Sequence, residues 1–339
     1  MKAIVLHAPG GLDRLELVDL AEPAGPAPGE ITVRLRASST NYHDFLIVTG
    51  QAPAGDRRIP LSDGAGDVVA VGEGVSEYKV GDKVISTFFP EWVDGGPLNR
   101  FGADIFASVP GDGADGCARE LITAPAAHFT PAPAGFSYAE SASLVCAGLT
   151  AWRSLVVEGG LKAGDIVLVQ GTGGVSLFAL QFAKAMGAQV VATSSSDEKL
   201  ERLKALGADH LINYRAEPKW GALARRLTGG RGVDHVVDIG GPATLPQSFS
   251  ACRVGAKVAM VGLLTGHEGP LPTTVMMGRQ LQLNCIMVGS RQSQRDMVRA
   301  VEANNIRPII DSSFPLENLA EAFRYQESGR HFGKIAIDI

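Results

Sequence analysis

Long apolar runs are missing from these 339 residues. The longest are of strand length, which excludes a membrane-spanning helix of about 20 apolar residues. Cysteine is sparse. Cys117, Cys146, Cys252 and Cys285 include no C-x-x-C pair, so they read as reduced thiols of a cytoplasmic protein rather than a disulfide frame. Basic charge is in deficit: 31 Lys and Arg stand against 36 Asp and Glu, a net charge of −5. With an isoelectric point near 5.8, this argues against a broad nucleic-acid or anionic-membrane surface. The N-terminal MKAIVLHAPGG has only a short apolar run and no small-residue cleavage site, so no signal peptide is expected. Low-complexity sequence is absent apart from the Pro/Ala-rich AEPAGPAPGE, an exposed turn.

What is present points to a globular chain. Hydrophobic residues are 45% and charged residues 20%, and 41 glycines fit many tight turns. The length exceeds one simple core, so two domains are expected. The first part is rich in short strands (KAIVLHA, ITVRLRASS, GDVVAVG, DKVISTFF) separated by Gly- and Pro-rich turns, a pattern for a small irregular barrel. Residues 89–118 read as a long loop, with Trp92 and Phe101 expected to shape a substrate pocket. From about residue 130 strands and helices alternate, the signature of parallel strands with crossover helices in a doubly wound sheet. A tail from about residue 290 supplies two helices and a last strand, KIAIDI, expected to return to the first domain. The boundaries expected are 1–128, 129–289 and 290–339.

Between the strand DIVLVQ and an apolar-faced helix stands GTGGVS: Gly171, Thr172, Gly173, Gly174, Val175 and Ser176. In that position Gly171 permits a tight turn, Gly173 admits a pyrophosphate, and the helix N-terminus faces it with free N–H groups. Ser176 replaces a third glycine with another small residue. A dinucleotide site is therefore expected. The second strand ends in Thr193-Ser194-Ser195-Ser196 with no carboxylate at its tip. Hydroxyls at Ser194 and Ser195, with Lys199 and Tyr214 within reach, suit a 2′-phosphate, so NADP(H) is favoured. Asp197 is the competing feature, because it could hold a ribose 2′-OH instead. Ligands of such sheets bind at the carboxyl ends of strands, so backbone groups at Leu263 and Val288 are expected to hold the nicotinamide carboxamide.

These features, with LSDGAGDVVAVGEGV, CAGLTAW, TSSSDEKLERLKALGADHLINYR and SGRHFGKIAI, resemble the medium-chain dehydrogenase/reductase superfamily, in particular its zinc-free quinone oxidoreductase branch. The resemblance implies an α/β protein: a Rossmann doubly wound parallel sheet plus a GroES-like irregular β-barrel catalytic domain. It aligns the catalytic zinc ligands of related alcohol dehydrogenases with Asn41, the stretch Leu61-Ser62-Asp63 and Cys146. Only one of the three ligands survives, one thiol and a few carboxylates do not make a tetrahedral N/S site, and the cysteines of the structural zinc lobe are absent too, so no metal is expected. His43 and Asp44 are adjacent but diverge on any regular element, which argues against a joint metal site.

In the zinc-free branch hydride passes to an activated C=C bond or a quinone, and donors must stabilise the developing oxyanion. The resemblance places Asn41 and Tyr42 at the substrate, Thr150 near the nicotinamide, and Arg330, Gly333 and Lys334 near the cofactor. It implies an NADPH-dependent, zinc-independent oxidoreductase of a small-molecule quinone or enone-type substrate, acting as a homodimer in the cytoplasm. An NADP-dependent alcohol dehydrogenase or carbonyl reductase is one rival reading, and an NADPH-binding redox sensor or scaffold with little turnover is the other.

Overall fold

The computed structural model describes residues 1–98 and 105–339. Phe101, expected to line a pocket, lies outside the described residues. The chain divides into two compact units, residues 1–149 with 288–339, and residues 150–287.

The first unit opens with β1 (Lys2–Leu6), β2 (Leu15–Asp19), β3 (Glu30–Ser39), helix α1 (Tyr42–Val48), β4 (Ala65–Val71), β5 (Lys83–Ser86), β6 (Leu121–Pro125), β7 (Phe129–Pro131) and α2 (Tyr138–Ser143). Helix α1 is short because Gly50 ends it at φ +75, and a Cβ there would lie 2.5 Å from the Pro9 carbonyl oxygen. The chain then passes into the second unit within α3 (Leu149–Trp152), which is flanked by π-helical turns at Leu144–Gly148 and Arg153–Val157.

The second unit alternates strictly: β8 (Ile166–Gln170), α4 (Gly174–Ala185), β9 (Gln189–Ser194), α5 (Asp197–Ala205), β10 (His210–Asn213), α6 (Trp220–Leu227), β11 (Val233–Asp238), α7 (Leu245–Ala251), β12 (Cys252–Met260), α8 (Thr273–Gly278) and β13 (Gln282–Cys285). The chain returns to the first unit with α9 (Arg291–Ala303), β14 (Ile310–Pro315), α10 (Leu319–Glu327) and β15 (Lys334–Asp338).

The second unit's sheet has six parallel strands in the order β10-β9-β8-β11-β12-β13. Its central strands, such as β8 and β11, are buried along their whole length, as a sheet covered on both faces requires. The order reverses between β8 and β11, so the carboxyl ends of these strands form the crevice where ligands of such sheets bind. The core there joins Leu168, Val191, Val236, Phe249 and Val258.

In the first unit the sheet order is β14-β15-β3-β4-β5-β7, with β6 also on β3 and a separate β1-β2 pair. One core cluster is built from both chain ends: Ile4, Phe45 and Val48 pack with Leu319, Phe323, Ile335 and Ile337. The unit boundary falls at residue 149 rather than the expected 128, because β7 pairs with β5 and α2 packs on β3. Strand β13 stops at Cys285 although the apolar run continues to Val288. Val288 takes φ +42, a conformation no strand accommodates and one that a β-branched residue rarely adopts.

Candidate active site

At the end of β8, Gly171 takes φ +70 and its N–H donates to the Thr193 carbonyl at 2.8 Å, which makes the tight turn. Gly173 is the N-cap of α4 and has no side chain to cap that helix end. A Cβ on Gly173 would meet nothing within 4 Å, so the space above the helix N-terminus is open. Thr172, Gly174 and Val175 complete the turn. Uncapped N–H groups, the positive end of the helix and open space are what a pyrophosphate needs. Ser176, in the third-glycine position, is buried, and its hydroxyl donates to the Gln170 carbonyl at 2.6 Å. It locks α4 to β8 by a hydrogen bond where a glycine would do so by close approach.

The residues predicted to choose the cofactor lie at the end of β9, the start of α5 and the end of β10. Ser194 is buried at the end of β9, its hydroxyl accepts the Ser196 N–H at 3.3 Å, and its carbonyl accepts the Tyr214 N–H at 3.1 Å. Ser196 caps α5 through the Lys199 N–H, placing Ser195 in the turn and Lys199 in the first helical turn. Tyr214 is exposed at the end of β10. Asp197, the competing acid, is tied: its Oδ1 accepts Asn213 Nδ2 at 2.7 Å. Elsewhere in this unit Thr150 is buried, with its carbonyl accepting the Ser154 hydroxyl at 2.7 Å, and Leu263 follows β12 in an exposed turn. Val288, on the other side of the division, is buried in its strained conformation.

The first unit holds a buried polar cluster of its own. Asn41 heads α1, and the Asp44 carboxylate reaches back to its N–H at 2.9 Å while accepting the Ser62 N–H at 2.9 Å. Burial, with Asp63 close by, pushes the Asp44 carboxyl up to about 6, against the opposing pull of His43, Lys334 and Ser62. Lys334, from β15, is also buried here. Its ammonium donates to the Thr40 carbonyl at 2.7 Å, to Asn41 Oδ1 at 2.5 Å and to Asp63 Oδ2 at 3.3 Å. Its three donors are thus spent on protein oxygens, which leaves none for the cofactor that the sequence assigned to it. Asp63 Oδ1 accepts the Cys146 N–H at 3.1 Å, which joins the π-helical turn to the same cluster.

Around this cluster, Tyr42 is 38% exposed beside Phe45. His43 turns away from Asp44: its ring lies between Phe88 and Phe106, with Nε2 3.2 Å from Asp112 Oδ2. Phe89 and Trp92 continue that aromatic wall. The thiols of Cys117 and Cys252 are pushed up to about 12 by burial, which makes them inert at neutral pH. The sequence reading missed Asp44, Asp63 and Ser39 as parts of this cluster. The spacing Asn41-x-x-Asp44 before an apolar run was a legible signal for the first; nothing local marked the others.

Comparison with known proteins fits both halves. Residues 27–134 match the alcohol dehydrogenase GroES-like domain family and residues 174–303 the zinc-binding dehydrogenase family. A zinc-type alcohol dehydrogenase-like protein of Schizosaccharomyces pombe is 41% identical, with 100% of this chain and 99% of that protein covered. The chain belongs to the medium-chain dehydrogenase/reductase superfamily. Among solved structures, an NAD-dependent alcohol dehydrogenase superposes with a TM-score of 0.90 at 36% identity, over 100% of both chains. The quinone oxidoreductase of Pseudomonas syringae pv. Tomato DC3000 does so with 0.82 at 27%, covering 100% of this chain and 99% of its own. The protein is thus an oxidoreductase of a pyridine-nucleotide-binding superfamily, and the turn at Gly171–Ser176 fits that cofactor.

A zinc ion, by contrast, does not fit the residues of this medium-chain dehydrogenase/reductase. Among the described residues no group of three or more His, Cys, Asp and Glu side chains could hold a metal. At the positions aligned with zinc ligands, Asn41 and Asp63 are bonded to the Lys334 ammonium, a resident cation that would repel a second one. Among the described residues no helix is long and apolar enough to cross a membrane.

Proposed function

We propose that this protein is an NADPH-dependent, zinc-independent oxidoreductase that reduces a quinone or an α,β-unsaturated carbonyl compound. The observation that carries the reading is the Asn41 cluster. Where zinc-containing relatives present metal ligands, this chain presents an amide whose oxygen is occupied and whose nitrogen remains a donor. Such a group suits an acceptor whose reduction builds negative charge on a carbonyl oxygen. The bound nicotinamide supplies the hydride. The α4 N-terminus binds the pyrophosphate, while Ser194, Ser195, Lys199 and Tyr214 take the 2′-phosphate. Asn41 Nδ2 donates to the substrate oxygen. The Tyr42 hydroxyl or water delivers the proton that, with the hydride, completes addition of two electrons and two hydrogens. The likeness to a quinone oxidoreductase supports this reading. The likeness to alcohol dehydrogenases keeps simple ketones as the competing substrate class. The edge strand β13, with Met277 exposed in the preceding α8, is where this reading puts the contact of a homodimer.

The test follows NADPH absorbance with 1,4-quinones, enones, enals, simple ketones and acyl-CoA esters, with and without chelator. Turnover of a quinone or enone, unaffected by chelator, is expected. Asn41→Ala should lower that turnover roughly a hundredfold, the loss of one oxyanion donor, while NADPH binding is kept. Faster reduction of simple ketones with chelator-sensitive turnover would overturn the reading.

A further inference from the structure

One buried ammonium orders the whole Asn41 cluster. An ammonium has donors and no lone pair, so the Asn41 atom 2.5 Å from Lys334 Nζ is its oxygen, and the chemistry alone settles which way that amide is turned. The other two ammonium protons go to the Thr40 carbonyl and Asp63 Oδ2. Asp63 is itself held, by the Ser39 hydroxyl on Oδ2 at 2.5 Å, the Cys146 N–H on Oδ1 at 3.1 Å and the Ser38 hydroxyl on its carbonyl at 2.6 Å. Lys334 is 4% exposed and Asp63 0%, so the cation sits in a fixed, poorly solvated place. With Oδ1 spent, Asn41 has only Nδ2 left to offer. Among the described residues Nδ2 makes a long 3.4 Å bond to the Ser62 hydroxyl, which leaves its second N–H to give.

We propose that Lys334 is a positioning residue for the reduction: it holds the Asn41 amide with nitrogen as the donor to substrate and polarises that amide with its charge. A carbonyl bonded to a cation makes the N–H of the same amide a stronger donor. The positive field that a metal exerts directly in the zinc-containing branch is here passed through one amide. This rests on the reading of Asn41 given above.

The test uses the full chain with 15N-labelled asparagine. The Asn41 side-chain amide signal is identified by its loss in Asn41→Asp. In Lys334→Met that signal should shift and exchange faster with water. Turnover of the best acceptor should fall at least about tenfold, the worth of one charge-assisted hydrogen bond, with the NADPH dissociation constant changed less than about twofold. In Asn41→Ala the same Lys334→Met change should cost nothing further, because Lys334 acts through Asn41. A buried unpaired Asp63 could unfold Lys334→Met, so Lys334→Met with Asp63→Asn is the companion variant, read in the same way. An unchanged Asn41 signal, or losses that multiply in the double variant with Asn41→Ala, would overturn the positioning role. A wild type that reduces no acceptor, or an Asn41→Ala that keeps full turnover, sinks the reading of Asn41 instead, and the amide signal still decides whether Lys334 fixes that side chain.

Discussion

Leu61 holds φ +74, a left-handed conformation that costs an L-residue about 1–2 kcal/mol, and it does so directly before Ser62 and Asp63. Its carbonyl accepts the Cys117 N–H at 2.8 Å, and the turn it makes aims the Ser62 N–H at Asp44. Glycine would relieve the strain. The leucine side chain, however, is wholly buried in the core with Ile4, Phe45 and Phe323, and emptying such a site costs about 3–5 kcal/mol. Packing therefore outweighs strain, and Leu61→Gly should destabilise the protein by roughly 2–3 kcal/mol. A urea midpoint that falls at unchanged slope would agree; an unchanged or higher midpoint would mean that the backbone strain is the larger quantity.

At the scale of elements, the proposed preference for NADPH rests on residues where β9 and β10 end and α5 begins. A 2′-phosphate needs donors and a cation and tolerates no free carboxylate. Asp197, the acid that directly follows the serines, is held by a bond from Asn213. Lys199→Ala should weaken NADPH about tenfold or more and leave NADH nearly unchanged, since a charge-assisted bond contributes about 1.5–3 kcal/mol. Ser194→Asp should turn the preference toward NADH. Asn213→Ala should shift it the same way by freeing Asp197. Fluorescence titration of both cofactors checks all three, and equal affinity of the wild type for the two would remove the basis of the argument.

The glycine turn between strand and helix was legible in the sequence because it is local, and so was the placing of the serines at the next strand tip. The alternating strands and helices of the second unit were legible for the same reason, through period and punctuation. The Lys334 cluster was not. Lys334 and Asn41 stand 293 positions apart, and only the pairing of β15 with β3 brings them together. The shortening of β13 was hidden as well, because the apolar run continues to Val288 and only that residue's backbone reveals the turn.

Over the whole molecule, two buried carboxylates, one in each unit, respond oppositely to acid. In the second unit Asp234 is buried. Burial alone would raise its pKa, but hydrogen bonds from Arg231, Arg253 and the Ile166 N–H outweigh it and hold the carboxyl down at about 2. Its folded value lies below the unfolded one near 4, so its stabilisation is present above pH 4 and lost as pH falls toward 2. A displacement of that size corresponds to about 2 kcal/mol as an upper figure, since Arg231 is half exposed and screened by solvent. Asp44, in the first unit, has the opposite sign. Its folded value of about 6 exceeds the unfolded one, so the ionised form at neutral pH costs stability, and that cost, about 3 kcal/mol at most, vanishes as pH falls from 6 toward 4. Other groups titrate over the same range, so the difference between variant and wild type is the quantity to read. Urea melts at constant ionic strength should show Asp44→Asn losing the gain in stability that the wild type makes between pH 7 and pH 5. Asp234→Asn, weaker at neutral pH, should show a flatter acid limb between pH 4 and pH 2. A wild type that gains nothing from pH 7 to pH 5 relative to Asp44→Asn would mean that Asp44 stays ionised with its two backbone N–H partners.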